Sequence, residues 1–220
     1  MRNLARAREG LSANGGHGHL SSAAHDHARE RLTRQYSAIP PGSPVRLTKG
    51  TSNLFRSRER SSSPGLDASG LDQVLAVDPV SRTADVQAMT TYEHLVDATL
   101  AHGLMPLVVP QLKTITIGGA VTGLGIESSS FRNGLPHESV REMEILTGAG
   151  EVVLAGPDGE DQDLFHAFPN YYGTIGYTLR MVIDMTPVHT LGRLRQDHIA
   201  KQPRLHERGD KLAARSICTG

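Results

Sequence analysis

The chain has 220 residues, and its 23 Lys and Arg residues are balanced by 23 Asp and Glu residues. This balance produces no overall field that would attract nucleic acid or an anionic membrane, and the absence of tryptophan disfavours a base-stacking surface. The single cysteine, Cys218, excludes an internal disulfide and a cysteine metal cluster, and no apolar run approaches the ~20 residues that span a bilayer. We therefore expect a cytoplasmic protein with no nucleic-acid partner and no membrane span.

Residues 1–40 predict a poorly ordered leader, because they are rich in Gly, Ser, Ala and His and show no sustained apolar period. Two histidine pairs lie in this leader, His17 with His19 and His25 with His27. A metal cluster and a solvated segment are both open interpretations of these pairs. Since nothing downstream supplies a fixed ligand geometry, we predict no metal site.

Residues 41–188 predict one folded domain that mixes strands with a few helices. In chain order the pattern first predicts a strand at 45–48, a loop over 57–70, and strands at 74–77 and 84–87. A helix capped by Thr90 or Thr91 and ended by Gly103 follows, and then a buried strand within 104–110. The last predicted elements are a hairpin around the Gly148–Gly150 turn, a short helix with Asp161 and Asp163 at its start, and a half-buried strand over 177–188. The strands do not alternate with helices as in a repeated βαβ unit, so we predict an α+β fold. Residues 189–220 carry an excess of basic residues without a period and predict an irregular tail.

The segment TITIGGAVTGLGIESSSFRNG, residues 114–134, is unusually rich in glycine and serine. Glycine lets the backbone approach a ligand closely, and successive backbone N–H groups can converge on an anion. The run IESSSFRNG is a poor helix sequence, so we predict no helix at these glycines, which excludes the Rossmann arrangement, and the lack of a following GK[ST] excludes a Walker loop. From the residues alone, a site for a phosphate-bearing ligand and a glycine-rich turn system that serves only fold geometry stay equally open.

Three longer runs resemble a known family: TITIGGAVTGLGIESSSFRNGL, EMEILTGAGEVV and DLFHAFPNYYGTIGYTLRMVIDMTPV. They resemble the flavin-binding domain of the vanillyl-alcohol oxidase / p-cresol methylhydroxylase superfamily, and most of all its delta(24)-sterol reductase (Diminuto-type) branch. The resemblance covers residues 44–188 and implies an FAD-binding domain of the p-cresol methylhydroxylase type, with FAD extended between two α+β subdomains. In that family a substrate domain follows, whereas 32 residues follow Val188 here. The resemblance therefore implies a C-terminally truncated chain without its substrate domain.

The resemblance also implies which residues hold FAD. A loop after an early strand would cradle one side of the phosphates, through Lys49, Gly50, Thr51, Ser52 and Asn53. In the glycine-rich segment, backbone N–H and hydroxyl groups would contact the pyrophosphate at Thr116, Ile117, Gly118 and Gly119. The flavin would pack along Gly123, Leu124, Gly125 and Ile126. Ser128 or Ser129 would donate a hydrogen bond to the flavin. Gly176 and Tyr177 would lie near the isoalloxazine ring or the ribityl chain, although a plain tight turn over 173–176 is an open alternative.

Relatives that bond FAD covalently often have a histidine in the first loop, and residues 49–55 contain none, so we expect noncovalent FAD. The resemblance implies hydride transfer between the flavin and a carbon substrate, with NADPH as reductant and a sterol or other lipid as substrate in the reductase branch. It assigns no catalytic residue. Alternatives are a truncated, non-catalytic flavin-binding chain, a partner chain that supplies the substrate domain, and a module for another adenine dinucleotide. Glu127 and the isolated histidines His94, His102, His137 and His166 are predicted to be ordinary polar residues rather than proton donors.

Overall fold

The structure is a computed structural model that describes residues 17–48 and 65–188, with side chains from residue 23 onward. The predicted phosphate loop Lys49–Asn53, the first 16 residues and the tail 189–220 lie outside the described residues. The described ranges form α1 (His17–Ser37), β1 (Arg46–Thr48), β2 (Gly65–Asp67), β3 (Val74–Asp78), β4 (Thr83–Gln87), α2 (Tyr92–Leu100), β5 (Leu104–Pro106), α3 (Ile117–Gly123), α4 (Ser130–Asn133), a 3₁₀ turn (Pro136–Ser139), β6 (Val140–Thr147), β7 (Val152–Ala155), α5 (Gln162–Ala167) and β8 (Gly176–Pro187). This architecture confirms the predicted α+β class.

The main sheet is antiparallel and is organised around the long strand β8. Its strand order is β3-β4-β8-β6-β7, and β5 pairs with the far end of β8. The alternation predicted for β8 is confirmed, because Met181, Ile183 and Met185 are all buried in the core that packs against side chains of α2, α3 and α5. A strand of 12 residues with partners on both edges holds the rest of the domain in register.

Several local predictions are confirmed by their capping and turn residues. The Thr91 hydroxyl accepts a hydrogen bond from the backbone N–H of His94 at the start of α2, and Gly103 follows the helix with φ of +68°. The β6–β7 hairpin turns at Gly150, whose φ is +82°. The strand predicted within 104–110 is shorter than expected and ends at Pro106, because proline donates no ladder hydrogen bond.

A second, two-stranded sheet is parallel and places two strand ends together. Leu47 of β1 pairs with Leu66 of β2, and Thr48 pairs with Asp67. The loop predicted over 57–70 therefore contains a short strand, which forms because the Leu66 side chain is fully buried. Since β1 and β2 run in the same direction, the chain leaves β1 towards residue 49 at the carboxyl edge of this pair, an edge that commonly faces a ligand in parallel sheets.

Residues 17–37 form the helix α1 rather than the poorly ordered leader that the sequence predicts over 1–40. His25, Ala28 and Leu32 lie on one face at helical spacing and are all buried. They pack in a second apolar cluster with buried leucines from the two sheets and their loops, namely Leu66, Leu71, Leu146 and Leu179. The helix was missed because a histidine on its buried face conceals the apolar pattern.

A buried polar network joins α1 to the main sheet. The His25 ring lies between Glu144 of β6, at 2.9 Å from Nε2, and the Gln87 amide nitrogen, at 3.0 Å from Nδ1. Gln87 Oε1 accepts the backbone N–H of Gln73, so its amide group donates to His25 and the His25 Nε2–H donates to the carboxylate of Glu144. Burial alone would raise the pKa of Glu144, but the hydrogen bonds from His25 and Arg29 outweigh it and hold that pKa below its usual range.

The helix α3 opens at the glycine-rich segment, where the sequence predicts no helix. The Thr116 side chain caps it by accepting the backbone N–H of Gly119, and Ile117 and Val121 are buried. At Gly118 a β-carbon would lie 2.9 Å from the carbonyl oxygen of Ala88 and 3.0 Å from its side chain. Tertiary packing therefore overrides the poor helix propensity of glycine, and Gly118 lets the helix touch the sheet.

We expect His25→Ala to lower the free energy of unfolding by about 2–4 kcal/mol, because it leaves the buried Glu144 with one donor fewer and the Gln87 amide without its acceptor. The measurement is urea unfolding at neutral pH followed by circular dichroism. His27→Ala is the matched control, since His27 lies on the same helix and is exposed. Equal stability of the two variants would contradict a stabilising role for the network.

We expect Gly118→Ala to lower the free energy of unfolding by about 1–3 kcal/mol, because the new methyl group meets a backbone carbonyl that cannot move aside. Gly148→Ala serves as the control, since Gly148 is exposed in a turn and a β-carbon there meets nothing within 4 Å. Thermal unfolding of both variants measures the effect. A Gly118→Ala protein as stable as the control would show that α3 does not need its close contact with the sheet.

Candidate functional site

The first turn of α3 is bound to the end of β4 by its own backbone amides. The N–H of Ile117 donates to Thr90 O at 2.9 Å, and that of Gly118 donates to Ala88 O at 2.8 Å. The N–H of Gly119 donates to the Thr116 hydroxyl at 3.2 Å. The resemblance assigns these groups to the pyrophosphate, but the structure places all three N–H groups in hydrogen bonds within the protein. They hold the segment in place and are not spare anion donors.

Two other glycines of the segment, Gly123 and Gly125, are not explained by packing. A β-carbon at Gly123 or Gly125 would make only ordinary contacts, 3.7 Å from Tyr172 and 3.6 Å from Pro136, and neither residue has a left-handed φ. At Gly119, which is exposed, a β-carbon would meet only the Thr116 hydroxyl, at 3.0 Å. The fold therefore requires Gly118 and restricts Gly119 through the capping hydroxyl of Thr116, whereas Gly123 and Gly125 would accept a β-carbon. Gly119, Gly123 and Gly125 together form a strip of bare backbone. Such a strip is suited to close approach by a ligand.

The loop over 169–176 closes against the C-terminal end of α3 in an unusual backbone conformation. Asn170 and Tyr172 have left-handed φ angles of 66° and 49°, and Leu124, directly after α3, has 49°. The Tyr172 hydroxyl donates to Gly123 O at 3.3 Å, and its backbone N–H donates to Thr122 O at 3.4 Å. Three of the four non-glycine residues with left-handed φ in the described ranges thus lie around the end of α3. Strain of this kind commonly accompanies functional sites.

The two predicted site residues at the start of β8 have clear structural roles. A β-carbon at Gly176 would lie 2.6 Å from Leu146 O, so glycine is required there by the pairing of β8 with β6. The Tyr177 hydroxyl donates to Val45 O at 3.2 Å and so ties β8 to the chain before β1. Burial, with a smaller contribution from the nearby Tyr36, raises the pKa of Tyr177. Neither residue shows a free group directed at a ligand.

Of the three consecutive serines, two form hydrogen bonds within the protein and one is exposed. Ser129 donates to Leu107 O at 3.2 Å, and the Ser130 hydroxyl accepts the N–H of Glu127 at 3.0 Å. Ser128 is exposed, and within the described ranges its hydroxyl makes no hydrogen bond. Of the two serines predicted to donate to FAD, Ser128 is therefore the one whose hydroxyl is available.

Apolar side chains next to the strip are exposed to an unusual degree. Ile126 is 77% exposed and Phe131 is 75% exposed, and Tyr172 is also exposed. Burial and then the charge of Glu127 raise the pKa of Tyr92, so that Tyr92 is a neutral phenol. A ligand with large ring systems would cover this apolar border.

A cleft of about 240 Å³ opens beside the end of α3. It is lined by Leu124, Leu135, His137, Met143, Phe165, His166 and Pro169. The sequence treats His137 and His166 as isolated residues, and only the fold brings them to one cleft. No sequence signal could have paired them, because they come from separate elements.

Two buried side-chain nitrogens in the described ranges have no hydrogen-bond partner: Nδ1 of His137 and Nε of Arg31. Buried polar atoms are nearly always paired, so each of these nitrogens is available to a ligand or to a water molecule. An open glycine strip, an exposed apolar border and unpaired nitrogens fit a large, partly polar, ring-bearing cofactor such as FAD. The described residues contain no group of three or more His, Cys, Asp or Glu that could hold a metal ion, and no helix among them is long and apolar enough to cross a bilayer.

Comparison with known proteins gives a family match. The profile of a family described as "FAD binding domain" matches residues 40–156, more than half of the chain. The matched range includes the glycine-rich segment, the predicted phosphate loop and the β6–β7 hairpin.

Three relatives represent the curated proteins that are similar. The decaprenylphosphoryl-β-D-ribose oxidase of Mycolicibacterium smegmatis is 37% identical over 126 residues, which are 57% of this chain and 27% of that protein. The delta(24)-sterol reductase of Pisum sativum is 32% identical over 123 residues, 56% of this chain and 22% of that protein. The cytokinin dehydrogenase 9 of Oryza sativa subsp. japonica is 31% identical over 120 residues, 54% of this chain and 23% of that protein.

The aligned part of the chain thus spans about a quarter of the length of these relatives. The resemblance seen in the sequence is confirmed by the family match, which covers the segment where the fold leaves its glycine strip open. The chain belongs to the FAD binding domain family.

Proposed function

We propose that this chain binds FAD noncovalently and serves an oxidoreductase in which a hydride passes between the flavin and a carbon substrate. The observation that carries the proposal is the strip of bare backbone at Gly119, Gly123 and Gly125, because packing does not require a glycine at Gly123 or Gly125. The strip lies within the range 40–156 that matches the FAD binding domain family. An interpretation of these glycines as fold geometry alone accounts for Gly118 and Gly176 but not for Gly123 and Gly125.

The chain's own residues would bind and orient the cofactor. The bare backbone of the strip would admit a flat or extended ligand, and the exposed Ser128 hydroxyl would donate to it. Tyr172, held over Gly123 by its hydrogen bond, would form one wall and limit the access of water. When bound, FAD supplies the redox chemistry, while the protein fixes its position and surroundings.

The loop Lys49–Asn53 is proposed as the second contact. It leaves β1 at the carboxyl edge of the parallel pair, and the sequence of residues 49–55 contains no histidine for a covalent bond to the flavin. The single cysteine is compatible with the cytoplasmic location that we propose.

A sterol or another lipid is the substrate class that we propose. Two of the relatives carry lipids in their names, a sterol and a decaprenylphosphoryl sugar. We propose NADPH as the reductant. The alternative is a chain that binds flavin without turnover, alone or until a partner chain supplies a substrate domain. It is favoured by the short aligned share of the relatives.

The deciding experiment is to purify the full chain, confirm folding by circular dichroism, and titrate it with FAD while following flavin absorbance and fluorescence. NADPH is then added under anaerobic conditions. Bleaching of the bound flavin supports the oxidoreductase, and bound flavin that is not reduced supports the alternative. A folded chain that takes up no FAD would overturn the proposal, and displacement of FAD by another adenine dinucleotide at lower concentration would point to that ligand instead.

We expect Gly123→Ala to weaken FAD binding by about tenfold or more while leaving thermal stability unchanged or slightly higher. The methyl group makes no clash within the protein and improves helix propensity, but it stands on the strip where the cofactor is proposed to lie. Fluorescence titration and apo-protein melting measure the two effects. Gly148→Ala, outside the strip, should change neither, and wild-type affinity in Gly123→Ala would remove the strip from the site.

A further inference from the structure

We propose that Arg31 of α1 binds the diphosphate of FAD, because its guanidinium lies at the carboxyl edge of the parallel β1–β2 pair and makes only one long ion pair with the described residues. This inference rests on the proposed FAD function and adds a residue outside the matched range 40–156. The ligand chemistry is an anionic diphosphate, and the recognising group is a guanidinium on a helix that the sequence predicts to be disordered.

The position of Arg31 is set by two neighbours in the β2–β3 connection. Its Nη2 lies 3.8 Å from Asp67 Oδ2, at the last residue of β2. A β-carbon on Gly70 would lie 3.0 Å from the same nitrogen, so the glycine leaves room for the guanidinium. Since Thr48 pairs with Asp67, the predicted phosphate loop starts from the strand end beside which Arg31 lies.

Among the described residues, the guanidinium makes one long ion pair and no hydrogen bond. The 3.8 Å contact with Asp67 is too long for a hydrogen bond, Asp67 is about half exposed, and within the described ranges Arg31 makes no other polar contact. Nε is buried and unpaired. A guanidinium has five N–H donors in a planar fork, and a buried donor without an acceptor is costly, so an external anion is the natural completion.

Three other arginines that contact the main sheet have short ion pairs with carboxylates. Arg29 lies 3.1 Å from Glu144, Arg141 lies 2.7 Å from Asp184, and Arg180 lies 2.6 Å from Asp85. Each contact is within hydrogen-bonding distance of a carboxylate. Arg31 departs from this pattern although Asp67 is beside it, which argues against a structural ion pair as its role.

A short series of backbone contacts connects Arg31 to the glycine strip. Gly70, next to the guanidinium, precedes Leu71, whose carbonyl accepts the N–H of Met89 at 2.8 Å. Ala88, the preceding residue, accepts the N–H of Gly118 at 2.8 Å. The β2–β3 connection, which contains Gly70, and the helix α3 therefore both contact the turn that follows β4. An extended dinucleotide lying across this turn would contact the strip and present its diphosphate to Arg31, which can bind two phosphate oxygens at once.

The test compares Arg31→Gln with Arg34→Gln in the full chain. Arg34 lies on the same helix and is exposed, so the control makes the same change in charge without the site. Three probes are titrated: FAD, ADP as a diphosphate without flavin, and riboflavin as a flavin without phosphate. Melting of each apo-protein is measured in parallel, and FAD titrations are repeated at high salt.

We expect Arg31→Gln to weaken FAD and ADP by about tenfold to a hundredfold, with riboflavin and Arg34→Gln unchanged, because a charge-assisted contact to phosphate is lost. The loss should shrink at high salt, and Arg31→Lys, which keeps the charge but not the fork, should fall between. The apo-protein should melt no lower than wild type, since the substitution removes only a long, partly exposed ion pair and an unpaired buried Nε. Wild-type FAD affinity in Arg31→Gln, an equal loss for riboflavin, or a lowered apo melting temperature would overturn the inference while leaving FAD binding itself intact. A folded wild-type chain that binds no FAD would overturn both proposals.

Discussion

The contact between α3 and the end of β4 is the constraint on which the candidate site depends. The backbone of Ala88 makes hydrogen bonds to both β8 and α3. Its N–H donates to Leu179 O of β8, and its carbonyl accepts the N–H of Gly118. The contact forms only because residue 118 lacks a side chain. It fixes the start of α3 beside the ends of β4 and β8. It therefore determines where the far end of the helix, with its open glycines and left-handed residues, meets the loop over 169–176.

The sequence predicts the regular parts of this fold because their signals are local. The alternation along β8, the Thr91 cap of α2 and the glycine turn between β6 and β7 each involve residues a few positions apart. The helix at Ile117–Gly123 could not be predicted in this way. Its three glycines oppose helix formation, and what stabilises it, burial of Ile117 and Val121 and hydrogen bonds to Ala88 and Thr90, comes from a distant part of the chain.

The helix α1 could not be predicted from local signals either, because its buried histidine depends on polar partners far away in the sequence. A period of His25, Ala28 and Leu32 was present in the sequence, but a buried histidine is favourable only with partners, and Glu144 lies 119 positions away. The sequence predicted which segment forms the candidate site, but not which of its polar groups are already hydrogen-bonded within the protein. The glycines were found, whereas the internal use of the first three N–H groups of α3 and the unpaired Nε of Arg31 follow only from the packing.

The buried network shows that the folded unit begins before residue 40, where the family match starts. Without α1, the leucines Leu66, Leu71, Leu146 and Leu179 would lose the apolar face that covers them, and Glu144 would be a buried carboxylate without either donor. A carboxylate in that position costs several kcal/mol unless it is paired, roughly half or more of the stability of a small domain. The helix is therefore part of the same cooperative unit as the sheet. A rigidly anchored α1 can in turn hold a charged side chain at the carboxyl edge of β1 and β2, which a flexible leader could not do without an ordering cost at each binding event.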